Sequence, residues 1–538
     1  MIRLILLQAR RDRIFLTVWV LGITLLLFVS TAAVATEYGS DEERSQILGL
    51  ALTTPALLAL RGVPNGAGLG SAVFFQTFAS YAVGVGLMNT FFATRHGRAD
   101  EERGRRELVA ATPTTRSASL VATLLLGLIA NIVLGILAFL GFVAGGTDAQ
   151  GAVVAALALA LIGLTFLGVG ALAGELVATS RAANGVGAVA VLGAYALRAI
   201  GDALGTPDFD ALRLETAWPS WLSPIGWGEQ TLAFTENRLG PLVLLLALAL
   251  VAGGGALAVR SRRDLGASLL PERSGRAVAR AGLRSPGGLA WRLHWPSLLG
   301  WAIGAALLGL VVGSLATVVA NASENFPESI QVVLRSLAHG GRSDIIGVFV
   351  AAIAVLIGLM AAAAGIQAVL RAREEEADGR AEQVLGGPVS RPRWLLASVG
   401  IATVSVLVVL LATAVATFAS FASAGDLDSG WRSVGQILVQ APAALVFVGI
   451  GALLIGALPR LSVGLTWGLF ALAAVIGLLG GLLRLPDWVL DASPITSVPA
   501  VPFDSVGDAV LALGIAAAVA IVLALAGAAL FHRRNVPA

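Results

Sequence analysis

The chain has no cysteine, which removes disulfides, thiolate metal sites and cysteine nucleophiles together. It has no lysine either: all 36 basic residues are arginine. A nucleotide-binding P-loop needs a Lys that reaches the β- and γ-phosphates, so this chain cannot build one. Its four histidines, His96, His294, His339 and His532, fall outside the apolar runs and argue against a metal centre. Charged residues make up only 13%, against roughly 25% in soluble domains. The isoelectric point near 10.1 comes with a net charge of only +3, spread over short loops. That is no footprint for nucleic acid.

What is present is apolar. The hydrophobic fraction is 57% and the mean hydropathy +0.86, and twelve runs approach the roughly 20 residues needed to span a bilayer. They fall near 14–34, 71–92, 119–143, 152–174, 185–200 and 241–259, then near 298–318, 345–370, 394–421, 437–458, 462–483 and 509–531. The fifth is short and carries Tyr195 and Arg198, so its boundary is the least sharp. An all-α polytopic membrane protein is expected. With the N-terminus inside, 27 of the 36 Arg lie in inside segments and 9 outside, so both termini are expected to be cytoplasmic in a bacterial cell membrane.

Arg3, Arg10, Arg11 and Arg13 followed by an apolar stretch and Ala33-Val34-Ala35 imitate a secretory signal. The run is long for a signal core and eleven further runs follow, so we read it as a span. Met1–Arg13, with Leu and Ile on one side and Arg on the other, reads as an amphipathic elbow helix. Gly287–Ser297, with Trp291, His294 and Trp295, is its counterpart in the second half. Outside, residues 35–70 carry Glu37, Asp41, Glu42 and Glu43 and then an apolar stretch, Ile47 to Leu60, which suits a helix lying on the outer surface.

The chain also repeats itself. Residues 104–122, GRRELVAATPTTRSASLVA, return as residues 379–397, GRAEQVLGGPVSRPRWLLA, at a fixed offset of 275. Gly104, Arg105, Glu107, Val109, Pro113, Arg116, Leu120 and Ala122 reappear as Gly379, Arg380, Glu382, Val384, Pro388, Arg391, Leu395 and Ala397. The expected organisation is a first six-span repeat over 1–265, a cytoplasmic linker over 266–286 and a second six-span repeat over 287–538. Duplicated membrane units are characteristic of transporters, where two related halves surround one pathway. Arg near span ends and mixed charge would satisfy topology alone. Topology does not demand this spacing, so the loops read as docking elements for a cytoplasmic partner.

The elements GRRELVAATPTTR and GRAEQVLGGPVSRPRWLL resemble the loop after the second span in ABC-2-type exporter permeases. WPSWLSPIGWGEQ (Trp218–Gln230) and LDASPITSVPAVPF (Leu490–Phe503) resemble the Ser-Pro motif before the last span of each half, and RRDLGA and HRRNVPA resemble the endings of the halves. Within that class the chain is similar to the fused twelve-span, polyketide-antibiotic (tetronasin-like) exporters of actinobacteria. The second copy lacks the Trp-rich run before its Ser-Pro, so the outer ends of the halves are expected to differ. The resemblance implies a pseudo-dimeric, type V exporter fold that moves hydrophobic or amphipathic, drug-like compounds outward. It also implies two copies of a separate ATPase chain that carry the ATP and Mg; this chain binds no cofactor or metal and has no catalytic residue. The helices around Glu101–Ala111 and Glu375–Leu385 would be the coupling helices, with Gly104, Arg105, Glu107, Pro113, Arg116 and their counterparts Gly379, Arg380, Glu382, Pro388, Arg391 at the ATPase contact. Arg181 and Arg460 lie on shorter loops suited to secondary contacts.

In this class the second and fifth spans of each half face the route. The second span carries Phe74, Phe75, Gln76, Phe78, Tyr81 and Asn89, a series that suits a bulky apolar ligand. Phe also packs between helices or faces lipid. Gln76, Asn89, Asn131 and Gln367 are amides that need partners inside a membrane, and bonding between helices would supply them. Trp218, Trp221, Pro224 and Trp227 suit an outer gate or a simple interfacial anchor.

No acidic residue sits mid-span; Glu175 and Asp202 lie at span ends. That counts against the main alternative, a proton-coupled twelve-span antiporter, as does Glu102, which stands where the facilitator loop motif wants a basic residue. Lipid or glycolipid export would look the same in sequence. A scaffold or immunity protein fits poorly with the duplication, and an intramembrane enzyme lacks the side chains.

Overall fold

The computed structural model describes residues 1–37, 39–264, 266–270, 278, 281–322, 342–479, 486, 488, 490, 493–499, 501 and 506–534. Among them eleven helices are long and apolar enough to cross a membrane, so the chain is an all-α polytopic membrane protein. It divides into two compact units, Met1–Gly275 and Arg276–Ala538. Of the linker expected at 266–286, residues 271–277, 279 and 280 lie outside the described set.

In the first unit α1 (Ile2–Arg11) stops at Asp12, and α2 (Arg13–Glu37) crosses the membrane. Then α3 (Asp41–Leu52) begins with a capping box in which Ser40 and Glu43 bond each other's backbone, which satisfies two otherwise orphaned N–H groups. A second short helix, α4 (Pro55–Arg61), completes the segment between the first two spans. The central helix α5 (Leu69–His96) runs into the short α6 (Arg98–Glu102) and α7 (Arg105–Ala110). The remaining spans are α8 (Ala118–Ala144), α9 (Ala149–Leu176), α10 (Ser180–Ala203) and α12 (Gly240–Arg262), with α11 (Pro224–Glu229) between the last two.

The helix α5 packs against α9, α10, α2 and α8, and α9 packs in turn on α12. Leu21, Leu25 and Leu26 of α2, Ile129, Ile132 and Ile136 of α8, and Val243 and Val251 of α12 remain exposed, as lipid-facing residues should. A two-strand hairpin, β1 (Thr206–Asp208) with β2 (Arg213–Glu215), bridges through Arg213 to Asn65. This joins the segment after α4 to the loop after α10.

The second unit contains α13 (Pro286–Ala322), α14 (Arg342–Ala377), α15 (Arg380–Leu385), α16 (Arg391–Ser423), α17 (Leu427–Leu438), α18 (Ala441–Ala457), α19 (Ser462–Leu479) and α20 (Val506–Arg533). Here α13 lies on α16, α18 on α20, and α14 on both α16 and α18. Gly287–Ser297, expected as a separate interfacial segment, forms the first turns of α13, continuous through Pro296. The run expected at 437–458 is α18, and a further helix, α17, precedes it; Pro442 lies in the first turn of α18, where its missing N–H and fixed φ cost little. The run expected at 462–483 is described only to Leu479, and parts of Leu490–Phe503 and of the ending after Arg534 lie outside the described residues. The fifth span runs over Ser180–Ala203 rather than 185–200: Thr179 caps its start, and Arg198 near its end is matched by carboxylates.

Candidate functional site

The repeated loops have the same build in each unit. Gly104 precedes α7 with φ 66° and Gly379 precedes α15 with φ 72°. Both lie in the left-handed region that favours glycine, so the turn that offsets each six-residue helix from the preceding one depends on it. Glu107, Pro113, Glu382 and Pro388 are exposed. Arg105 reaches Asp100 at 3.4 Å, and Arg380 donates to Glu375 at 2.8 Å, which with Asp378 raises the pKa of its guanidinium. Arg116 is an exposed residue 3.7 Å from Asp264, whereas Arg391 donates to the Arg534 carbonyl at 2.5 Å. The loop residues Arg181 and Arg460 lie at or near the surface.

Beneath the loops is a pattern that sequence reading missed. Arg98 pairs with Glu101 at 2.7 Å, and the same offset of 275 gives Arg373 with Glu376 at 3.2 Å. Arg98 also donates to Val177 O at 2.7 Å and Arg373 to Pro459 O at 2.8 Å, each reaching the turn after the fourth span of its unit. The end of each unit's last helix closes the pair: Arg263 meets Glu101 at 2.8 Å, and Arg534 meets Glu376. In the first unit Arg106 and Arg260 also bond Glu101, and Glu175 stands 2.9 Å from Arg263. Burial lowers the Arg106 pKa, helped by Arg260 and opposed by Glu101 and Glu175. Glu102 accepts the Ser180 backbone N–H at 2.8 Å, tying α6 to the start of α10.

Nearby, Asp12 takes Arg95 at 2.7 Å and His96 at 2.8 Å, which fastens the α1–α2 junction to the end of α5. Burial alone would raise the Asp12 pKa, but His96 and Arg95 together hold it below the ordinary value.

The residues expected along the route are held by partners within their own units. Phe74 stacks on Phe78 at 4.3 Å and meets Phe234 edge-on at 6.3 Å; Phe75 packs against Leu48 and Ala51 of α3. Tyr81 bonds Ser30 at 2.8 Å, and Gln76 takes a weak 3.4 Å bond from Arg61. Asn89 and Asn131 bond each other twice, at 2.7 and 3.1 Å, and each donates to its own helix. Gly163 of α9 lies against this amide pair so closely that a Cβ there would collide with the Asn131 carboxamide oxygen. In the second unit Gln367 is exposed and accepts from Trp301 at 2.8 Å and Ser297 at 3.1 Å.

Trp218 and Trp221 lie in an exposed 3-10 turn, Trp218–Leu222, just before α11. The Ser223 hydroxyl accepts the Ile225 and Gly226 N–H groups and donates to Ala194 O at 2.6 Å, which caps the helix that Pro224 opens. The Trp227 indole donates to Trp221 O at 2.6 Å, folding the aromatic turn onto the helix.

Behind this element lies a second unforeseen cluster. Arg198, fully buried, meets Asp202 at 3.1 Å and Glu229 at 3.3 Å and donates to Ala59 O at 3.0 Å; Ser220 donates to Asp202 at 3.0 Å. Burial pushes the Glu229 carboxyl well above the usual range; Arg198 opposes this and Asp202 adds to it. The spacing of Arg198 and Asp202 on one helix face was a usable signal. Glu229, in a loop motif, gave none.

A family model described as multidrug efflux system permease Rv1217c, C-terminal domain, matches residues 283–532. The multidrug efflux system permease protein Rv1217c of Mycobacterium tuberculosis (strain ATCC 25618 / H37Rv) is 35% identical over 544 residues, covering 99% of this chain and 94% of the relative. With a relative this similar along its whole length, and with its spans and paired loops, the chain belongs to the Rv1217c family of efflux permeases.

Proposed function

We propose that the chain is the membrane subunit of an ATP-driven exporter of the ABC-2 class, close to the tetronasin-like branch, moving hydrophobic or amphipathic drug-like compounds out of the cell. The relative's name, a multidrug efflux permease, supports the substrate class. The observation that carries the coupling is the loop built twice: a left-handed glycine, a six-residue helix with an exposed glutamate, and an Arg–Glu pair beneath. Two copies of a separate ATPase, holding ATP and Mg, would seat on α6–α7 and on α15, with both termini on the same cytoplasmic side. Gly104, Arg105, Glu107, Pro113 and Arg116, with Gly379, Arg380, Glu382, Pro388 and Arg391, would form the contacts. Closure of the ATPase pair would then move the two membrane units against each other. The route would use the α5 series and the gate the Trp218–Trp227 element.

The test is co-purification of the tagged chain with the product of any adjacent ATPase gene, followed by ATP hydrolysis in lipid. Two ATPase chains per permease are expected, with vanadate-sensitive turnover that is lost when α7 and α15 are replaced by Gly-Ser linkers. A proton-coupled antiporter draws support from the buried Glu229 carboxyl. It predicts efflux driven by an imposed proton gradient without ATPase and abolished in Glu229→Gln.

A further inference from the structure

The ion cluster under α7 is not balanced. Arg98, Arg106, Arg260 and Arg263 converge on only two carboxylates, Glu101 and Glu175, and all six side chains are nearly sealed from solvent. An excess of two positive charges in such a place is costly unless an anion completes it. Among the described residues, Nε and Nη2 of Arg106 and Nε of Arg263 are buried without a hydrogen-bond acceptor. These two side chains line a cavity of about 300 Å³ together with Arg260, Arg116, Thr115 and Ser119. The carboxylate on its wall, Asp264, is largely exposed and faces Arg116 at 3.7 Å, so it does not complete the buried guanidiniums.

We propose that this cavity binds a phosphate group, that of an anionic phospholipid headgroup. Arginine forks and hydroxyls are the donors that suit a tetrahedral oxyanion. No aromatic ring lines the cavity, so nothing there would stack a nucleobase. Its depth favours lipid: Ser119 lies in the first turn of α8 and Arg260 in the last turn of α12, while α8 next exposes Leu125, Leu128 and Ile129. Headgroups of a bilayer around these apolar faces lie at that level, and basic pockets between spans bind them. The site belongs to one unit, because the position of Arg106 is Ala381 at the offset of 275.

The full-length protein in detergent is tested by native mass spectrometry with phosphatidylglycerol and phosphatidylcholine, and by thermal shift with inorganic phosphate. Selective retention of phosphatidylglycerol is expected, weakened about fivefold for each guanidinium removed, in Arg106→Ala, which imitates the second unit, and in Arg116→Gln at the rim should the first variant not fold. Arg103→Ala, an exposed charge outside the cavity, should leave retention unchanged. Stabilisation by inorganic phosphate with no lipid selectivity, lost in the same variants, would keep the phosphate site and assign it a soluble ligand. No response to either anion, or a response equal in all variants, overturns the proposal; so does complementation only by the acidic surface of a partner protein.

Discussion

Burial raises the pKa of the Glu229 carboxyl, on the side of α11 that faces Arg198 and Asp202, with Tyr195 and Ser220 close by. A carboxyl whose folded pKa is raised binds its proton more tightly in the folded state. Its contribution is therefore complete below the unfolded value and is lost as pH rises through the folded one. Melting temperatures measured from acid to neutral pH should fall along that window in the wild type, and Glu229→Gln should flatten the fall; identical slopes would refute the assignment. The amide pair makes a second case. Asn131→Leu leaves Asn89 without its partner and should cost about 1 kcal/mol in the membrane, with Asn89→Leu adding little more in the double variant. At the loops, Gly104→Val or Gly379→Val forces a side chain into the left-handed region at about 1–2 kcal/mol. Under the proposed function, the readout is ATPase stimulation lost before the fold is.

Among elements, the two Arg–Glu supports differ in what surrounds them. Removing the charge of Glu101 leaves Arg98, Arg106, Arg260 and Arg263 around Glu175 alone, and breaking such a buried cluster costs about 3–5 kcal/mol. Glu376 is as buried, but its partners Arg373 and Arg534 are 22% and 17% exposed, so water screens the orphaned charges. Glu101→Gln should therefore lower folded yield and melting temperature well beyond Glu376→Gln; equal losses would show that the surplus arginines in the first unit carry no strain. Neither carboxylate stands out in sequence, because each sits in a mixed-charge stretch that looks like any solvated helix face. The one signal the sequence held was the offset of 275, which Arg98, Glu101, Arg373 and Glu376 share with the motif residues after them but which the repeat read from Gly104 onward did not reach.

For the whole molecule, the spans were legible because length and apolar content are all a bilayer asks for. Less legible were features decided by packing: the merging of Gly287–Ser297 into α13, the added helix α17 before α18, and the longer bounds of α10. The aromatic series of α5 was easy to see, but which rings pack onto Phe234 and α3 depends on loops far away in the chain. Orientation can be measured directly because the wild type has no thiol to interfere. Single cysteines at Arg103 and at Asp210 should label differently with a membrane-impermeant maleimide on intact cells, only Asp210→Cys reacting if the N-terminus is inside. The reverse pattern would invert the topology.

Arg198, Asp202 and Glu229 join α10 to α11, and Arg198 reaches the carbonyls of α4 as well. Losing the cation strands two acids in a sealed space, and losing either acid leaves Arg198 with one carboxylate fewer. Substitutions at these three positions are therefore expected to occur together rather than one at a time. Relatives that have replaced Arg198 by an apolar residue should also have neutral residues at both acidic positions, and intermediates carrying one change should be rare.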